Sequence, residues 1–242
     1  MKIGIIGSGN IGATLARHLA GRGHQVSIAN SRGPQSLAAL AAEIGAKPTT
    51  VVDAAHAGEL VIVTIPEKAI PDLPRGLFAD VPATVPVIDT GNYYPELRDG
   101  RIEAIDRGQL DSRWVEQQLG RPVIKAFNNI YARSLLEKAK PRGTPGRVAL
   151  PVAGDSKEGR DAVLRLVDEI GFDPVDNGGL DDSWRQQPGT PAYCRDLELG
   201  ALKRALAEAD RSRLTEYRAE AEAKARTSTA WKVPTNPPQL SK

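Results

Sequence analysis

Lys2-Ile3-Gly4-Ile5-Ile6-Gly7-Ser8-Gly9-Asn10-Ile11-Gly12 decides the fold. Lys2–Ile6 is a short apolar run ending at a glycine, the pattern of a strand buried on both faces of a parallel sheet. From Asn10 to Arg22, Ile11, Leu15 and Leu19 recur every fourth residue on one helical face, and Gly21 and Gly23 end the helix. The apolar run is too short and too glycine-rich for a signal peptide.

The same alternation continues outward. Gln25–Ala29 reads as a second strand. Pro34–Ile44 reads as an amphipathic helix, with proline in its first turn and Leu37, Leu40, Ala41 and Ile44 facing inward. Leu60–Ile65, Val85–Asp89, Val123–Ala126, Arg147–Ala153 and Phe172–Val175 read as further strands. Pro151, lacking an N–H, marks an edge or a broken ladder. Asp155–Gly171 reads as a helix with Val163, Leu166, Val167 and Ile170 in phase. Strand–helix alternation of this kind predicts an α/β, doubly wound parallel sheet covered by helices on both faces.

After Asp176 the pattern changes. Arg195–Arg226 is helical in period, but its phase slips between Ala209 and Leu214, which predicts two helices or a kink. The expected division is a nucleotide-binding domain over 1–176 and a small helical C-terminal domain over 177–242, ending in an extended arm from Thr227 through Pro238. A homodimer is expected, to cover the apolar surface of the long helical region.

Composition narrows the function. The 242 residues are 40% hydrophobic and 26% charged, with 32 Lys+Arg against 30 Asp+Glu, a balance that points to no nucleic acid or acidic membrane. Cys194 stands alone, and His18, His24 and His56 lack metal-ligand spacing, so neither a disulfide nor a metal site is expected. No stretch approaches the roughly 20 apolar residues that span a bilayer. A soluble cytoplasmic protein is expected.

Gly7-Ser8-Gly9-Asn10-Ile11-Gly12 is a G-x-G-x-x-G placed where a dinucleotide needs it, between strand and helix. Gly7 permits the tight turn, Gly9 lets a pyrophosphate approach, and Gly12 lets helix and strand pack closely. Amides near Asn10 and Ile11 then face an anion at the helix's positive end. The bland alternative is a purely structural glycine turn. After the second strand comes Ala29-Asn30-Ser31-Arg32-Gly33, with no acid to bond a ribose 2′-hydroxyl. Ser31 offers a hydroxyl and Arg32 a charged fork suited to phosphate oxygens, which favours NADP(H); a solvated loop arginine is the alternative.

Ile5–Gly12, Asn30-Ser31-Arg32-Gly33-Pro34, Val63-Thr64-Ile65-Pro66 and Lys125-Ala126-Phe127-Asn128-Asn129 together resemble the deazaflavin-dependent NADP reductases (coenzyme F-420:NADPH oxidoreductases) over about the first 175 residues. The resemblance implies a Rossmann-type domain with a small C-terminal domain, NADP along the strand ends, and direct hydride transfer to deazaflavin or a flavin. Membrane ferric reductases and, more distantly, pyrroline-carboxylate and imine reductases carry similar domains. The segment Ser183–Pro191 resembles instead a bacterial dinucleotide-binding subgroup, which leaves the acceptor open.

Further candidates follow from placement. The resemblance puts Thr64, Ile65 and Pro66 beside the cofactor's ribose and nicotinamide. Asn92 follows another strand, where it would bond cofactor or substrate or simply stabilise its turn. Ala126 and Asn128 are nicotinamide-side candidates, and Asn129 is a candidate helix cap. Trp184 and Gln187 are candidate acceptor-pocket residues, Trp184 alternatively an anchor between domains. No Ser–His–acid or Lys–Tyr set is evident, so no catalytic residue is named. Hydride transfer between two flat rings needs positioning rather than a proton donor. Reduction of an imine or ketone would need one, with Tyr93, Tyr94, Tyr131 and Tyr193 available. The same lack of a catalytic set leaves an NADP(H)-binding redox sensor as the rival reading.

Overall fold

A computed structural model describes residues 1–227. In chain order the strands are β1 (Lys2–Ile6), β2 (Gln25–Ala29), β3 (Lys47–Pro48), β4 (Leu60–Val63), β5 (Val87–Asp89), β6 (Ile124–Lys125), β7 (Ala149–Val152) and β8 (Asp173–Asp176). The α-helices are α1 (Asn10–Ala20), α2 (Ala38–Ile44), α3 (Val51–Ala55), α4 (Glu103–Asp106), α5 (Asp111–Leu119), α6 (Ala132–Glu137), α7 (Lys157–Glu169), α8 (Leu199–Glu208) and α9 (Leu214–Thr227).

Six strands form one parallel sheet in the order β3-β2-β1-β4-β5-β6. The order reverses at β1, and this doubly wound arrangement opens a crevice beyond the carboxyl ends of β1 and β4. Side chains alternate across the sheet. Ile3, Ile5, Leu60 and Ile62 enter a core shared with Leu15 and Leu19 of α1 and Val163, Leu166 and Val167 of α7. Ile6, Val61 and Val63 enter the opposite core, with Trp114 and Val115 of α5. The fold is the Rossmann-type α/β sheet with a helical C-terminal region.

Two expectations are corrected in detail, and the predicted break in the C-terminal helical region is located. β7 and β8 do not extend the main sheet; they form a separate parallel pair, joined to β6 by an antiparallel bridge between Lys125 and Ala153. Pro151 explains part of this. Its neighbours Ala149 and Ala153 donate backbone N–H groups to Leu197 and Lys125, and Pro151 between them has none to give. Pro34–Ile44 begins as a 3-10 turn, Pro34–Leu37, before α2. The phase slip is a real break: α8 ends at Glu208, and Asp210 caps a 3-10 turn by accepting from the Ser212 N–H at 2.9 Å. α8 buries Leu202, Ala205 and Leu206 against Ala149 and Val175 of the same chain, so its apolar face finds its cover without a second copy. The expected extended arm lies outside the described residues except for Thr227.

Candidate functional site

The β1–α1 turn is built by close approach. Gly7 sits at φ +120°, and a Cβ there would lie 2.2 Å from the Thr64 carbonyl oxygen. A Cβ on Gly12 would lie 2.1 Å from the Gly7 oxygen and 2.7 Å from Thr64 Cγ2. The first turn of α1 is thereby pulled against the end of β4. At Gly9 the opposite holds: a Cβ would meet nothing within 4 Å, so the turn presents open space there. α1 has no acidic residue in its first turn and no side-chain cap, leaving its positive end for an external anion.

Asn30, just past β2, braces this turn. Its amide donates to Ser8 Oγ at 3.3 Å and Ser36 Oγ at 3.0 Å, while Oδ1 accepts from the Arg32 N–H at 2.9 Å. Ser31 and Arg32 are exposed. Among the described residues Arg32 makes no ion pair, so its guanidinium is free for a ligand.

The ends of β4, β5 and β6 meet beside the turn. The Thr64 N–H donates to Ile6 at 2.8 Å, and the Thr90 N–H to Val63 at 3.1 Å. Thr64, Ile65 and Pro66 are half-buried. After β6 the chain turns sharply at Phe127, whose φ of +62° is rare for a bulky residue and costs of order 1–3 kcal/mol. The turn delivers Ala126 and Asn128, both buried. Asn128 donates to Asn92 Oδ1 at 3.1 Å and to the Gln186 carbonyl at 2.8 Å, and accepts from Gln186 Nε2 at 2.9 Å. Asn92 in turn donates to the Asn128 carbonyl at 2.9 Å. Both amide hydrogens of Asn128 are thus spent inside the protein. It clamps three segments together, and Gln186, the clamp's third member, escaped notice because nothing local marks it.

Trp184 is 5% exposed and packs with Leu110, Ala209 and Leu214, with the Arg185 guanidinium 4.5 Å from its ring. This packing supports the anchoring alternative for the indole over the acceptor-pocket one. Gln187 is buried, and among the described residues its Nε2 has no partner. Asn129 does not cap α6, which starts after Tyr131; it donates to the Ala192 carbonyl at 3.5 Å.

Beneath the clamp lies a buried ionic cluster. Lys125, 0% exposed, donates to Asp89 Oδ2 at 2.9 Å and to the Gly91 carbonyl at 2.7 Å. Asp89 also accepts from the Gly91 N–H at 2.7 Å and Ser112 Oγ at 2.8 Å. Arg98 donates to the Asn92 carbonyl, to Asp99 at 2.9 Å, and to Glu67 Oε2 at 3.2 Å. Arg218 of α9 reaches Asp111 Oδ1 at 3.1 Å. Glu67 is 0% exposed, and burial pushes its carboxyl up to about 8, against the pull of Lys125. Charged residues at the ends of otherwise apolar strands were the available signal for Asp89 and Lys125.

The phenols separate cleanly. The Tyr93 hydroxyl donates to Asp106 at 3.0 Å and accepts from the Ile102 N–H at 2.8 Å, a structural role. Tyr131 is 49% exposed. The Tyr94 and Tyr193 hydroxyls are 2.7 Å apart, and burial raises both groups, keeping them protonated. Burial likewise pushes the Cys194 thiol up to about 12. Among the described residues no helix is long and apolar enough to cross a membrane.

Comparison with known proteins fits this geometry. Residues 2–93 match the family model described as NADP oxidoreductase, coenzyme F420-dependent. The chain is 45% identical over 85 residues to the Escherichia coli protein YjhV, covering 35% of this chain and 55% of that one. It is 29% identical over 180 residues to the rat metalloreductase STEAP3, covering 74% of this chain and 34% of that one. The chain thus spans about half, or a third, of the length of these curated relatives. A crystal structure of the Sinorhizobium meliloti protein SMa0349 superposes with a TM-score of 0.69 at 31% identity, covering 82% of this chain and 96% of that one.

Proposed function

Because the chain belongs to the coenzyme F420-dependent NADP oxidoreductase family, we propose that it is an NADP(H)-dependent oxidoreductase that moves a hydride between the nicotinamide and a planar heterocyclic acceptor such as a deazaflavin or flavin. One observation carries the choice of cofactor. The loop after β2 holds no carboxylate and presents Ser31 and an Arg32 that makes no ion pair among the described residues, beside a glycine turn with open space at Gly9. The residues present fit the dinucleotide. Amides of Gly7 to Gly12, with Ser8, Asn10 and Ile11, would hold the pyrophosphate. Ser31 and Arg32 would hold the 2′-phosphate on a loop that Asn30 braces.

When bound, the nicotinamide supplies a hydride at one ring face. The protein's share is placement. Thr64, Ile65 and Pro66 form one wall, and the Asn92–Asn128–Gln186 clamp fixes the other. Transfer to a deazaflavin needs no residue to move a proton. The Tyr94–Tyr193 pair supports a second reading, reduction of an imine or ketone, because two protonated phenols in contact can pass a proton to the reduced centre.

Stopped-flow absorbance at the reduced-nicotinamide band, with deazaflavin, flavin and cyclic-imine acceptors, tests both. Oxidation of NADPH by one class is the expected result. Tight binding with no turnover on any acceptor would overturn the enzyme reading in favour of a redox sensor.

A further inference from the structure

Lys125 belongs to a motif that the cofactor site does not otherwise use, and it is buried where a lysine is costly. Its ammonium bonds the Gly91 carbonyl directly, and the Gly91 N–H through Asp89. Gly91 is therefore held at both ends of its peptide frame. The next residue, Asn92, has its carbonyl held by Arg98 and its side chain by Asn128. Lys125 also precedes the strained Phe127 turn that carries Asn128. One ammonium thus ties together both strand-end turns of the nicotinamide side.

The groups facing this ammonium do not balance if all are charged. Among the described residues the cluster gathers four carboxyls, Glu67, Asp89, Asp99 and Asp111, against three cations, Lys125, Arg98 and Arg218. They come from every element packed there: the turn after β4, β5, the Pro95–Asp99 turn, α5, β6 and α9. One proton restores neutrality. Among the described residues, Glu67 Oε1 and Asp111 Oδ2 are both buried without a partner, and burial raises both groups. Glu67 is the better placed to hold the proton, since its one cation, Arg98, is shared with Asp99 and the Asn92 carbonyl and stands 3.2 Å away, whereas Arg218 meets Asp111 at 3.1 Å. Oε1 lies against Gly91: a Cβ there would be 2.5 Å from it and 3.0 Å from Asp89 Oδ1. If Glu67 ionises, two carboxylates oppose each other across Gly91, and Glu67 competes with the Gly91 carbonyl for the ammonium.

We propose that Lys125 and protonated Glu67 are positioning residues for the cofactor's nicotinamide half, and that loss of the Glu67 proton loosens the Gly91–Asn92 loop and weakens NADPH binding. The inference rests on the NADP(H) reading above.

The test is NADPH fluorescence titration of the full chain between pH 7 and 9.5. The expected result is a dissociation constant that rises on the order of five- to tenfold across this range. Glu67→Gln, which keeps the neutral shape, should abolish that rise, and Lys125→Met should weaken binding throughout. Thermal melts give a second readout. The folded protein holds a proton that the unfolded chain releases in the ordinary carboxylate range, so wild-type stability should fall with rising pH until about pH 8 and then level. Glu67→Gln should lack that decline. A flat wild-type binding profile, or an unchanged rise in Glu67→Gln, would overturn the proposal while leaving NADP(H) binding intact. No binding at any pH would remove its premise as well.

Discussion

Replacing Arg32 by alanine should separate the two nicotinamide cofactors. The side chain makes no ion pair among the described residues and is exposed, and its backbone N–H bond to Asn30 Oδ1 survives the change. The variant should therefore fold with a stability within about 0.5 kcal/mol of wild type. Its cost should fall on the ligand alone. A charge-assisted hydrogen bond contributes about 1.5–3 kcal/mol. Exposure and salt screening push this contact toward the lower end, roughly a tenfold loss of NADP affinity. NAD has no phosphate at that position and should lose little. Isothermal titration calorimetry of both proteins with both cofactors, at one low ionic strength, reads the difference directly. An equal loss for NAD and NADP, or no loss for either, would refute the assigned contact.

Trp184→Ala should cost about 3–5 kcal/mol in urea melts, because it empties the space among Leu110, Ala209 and Leu214. A wild-type melt would refute the anchoring role. Cys194 is half-buried, and its thiol is pushed up to about 12, which disfavours the thiolate at pH 8. It should react with an aromatic disulfide reagent far more slowly in the native protein than in urea, and equal rates would contradict the raised thiol.

Much of the architecture was legible because strands buried on both faces read as apolar runs and the helices that cover them keep a single phase. β1, β2 and β4 emerge this way, and the glycine turn needed only its position between β1 and α1. β3 is a two-residue pairing set by its neighbour, so no local period announces it, whereas β6 lies inside the apolar run from Val123 to Ala126. β7 and β8 look like two more strands of the sheet from sequence, yet Pro151 and the loop pairing at Leu197 divert them. At the site, Asn92 and Asn128 were visible as polar residues after strands. Gln186, Glu67 and Arg218 were not, since their roles arise from partners distant in the chain. Trp184 was ambiguous because an indole suits a core as well as a pocket.

The clamp also dictates an order of events. Asn92 and Asn128 lie 36 positions apart, and Asn128 and Gln186 lie 58 apart. No fragment ending before Gln186 can complete it, and closing such long loops is entropically slow. The glycine turn, by contrast, needs no contact beyond Asn30 and Thr64. During synthesis the proposed phosphate end of the crevice can therefore take shape while the proposed nicotinamide end is still missing, and the clamp closes only once Gln186 is in place.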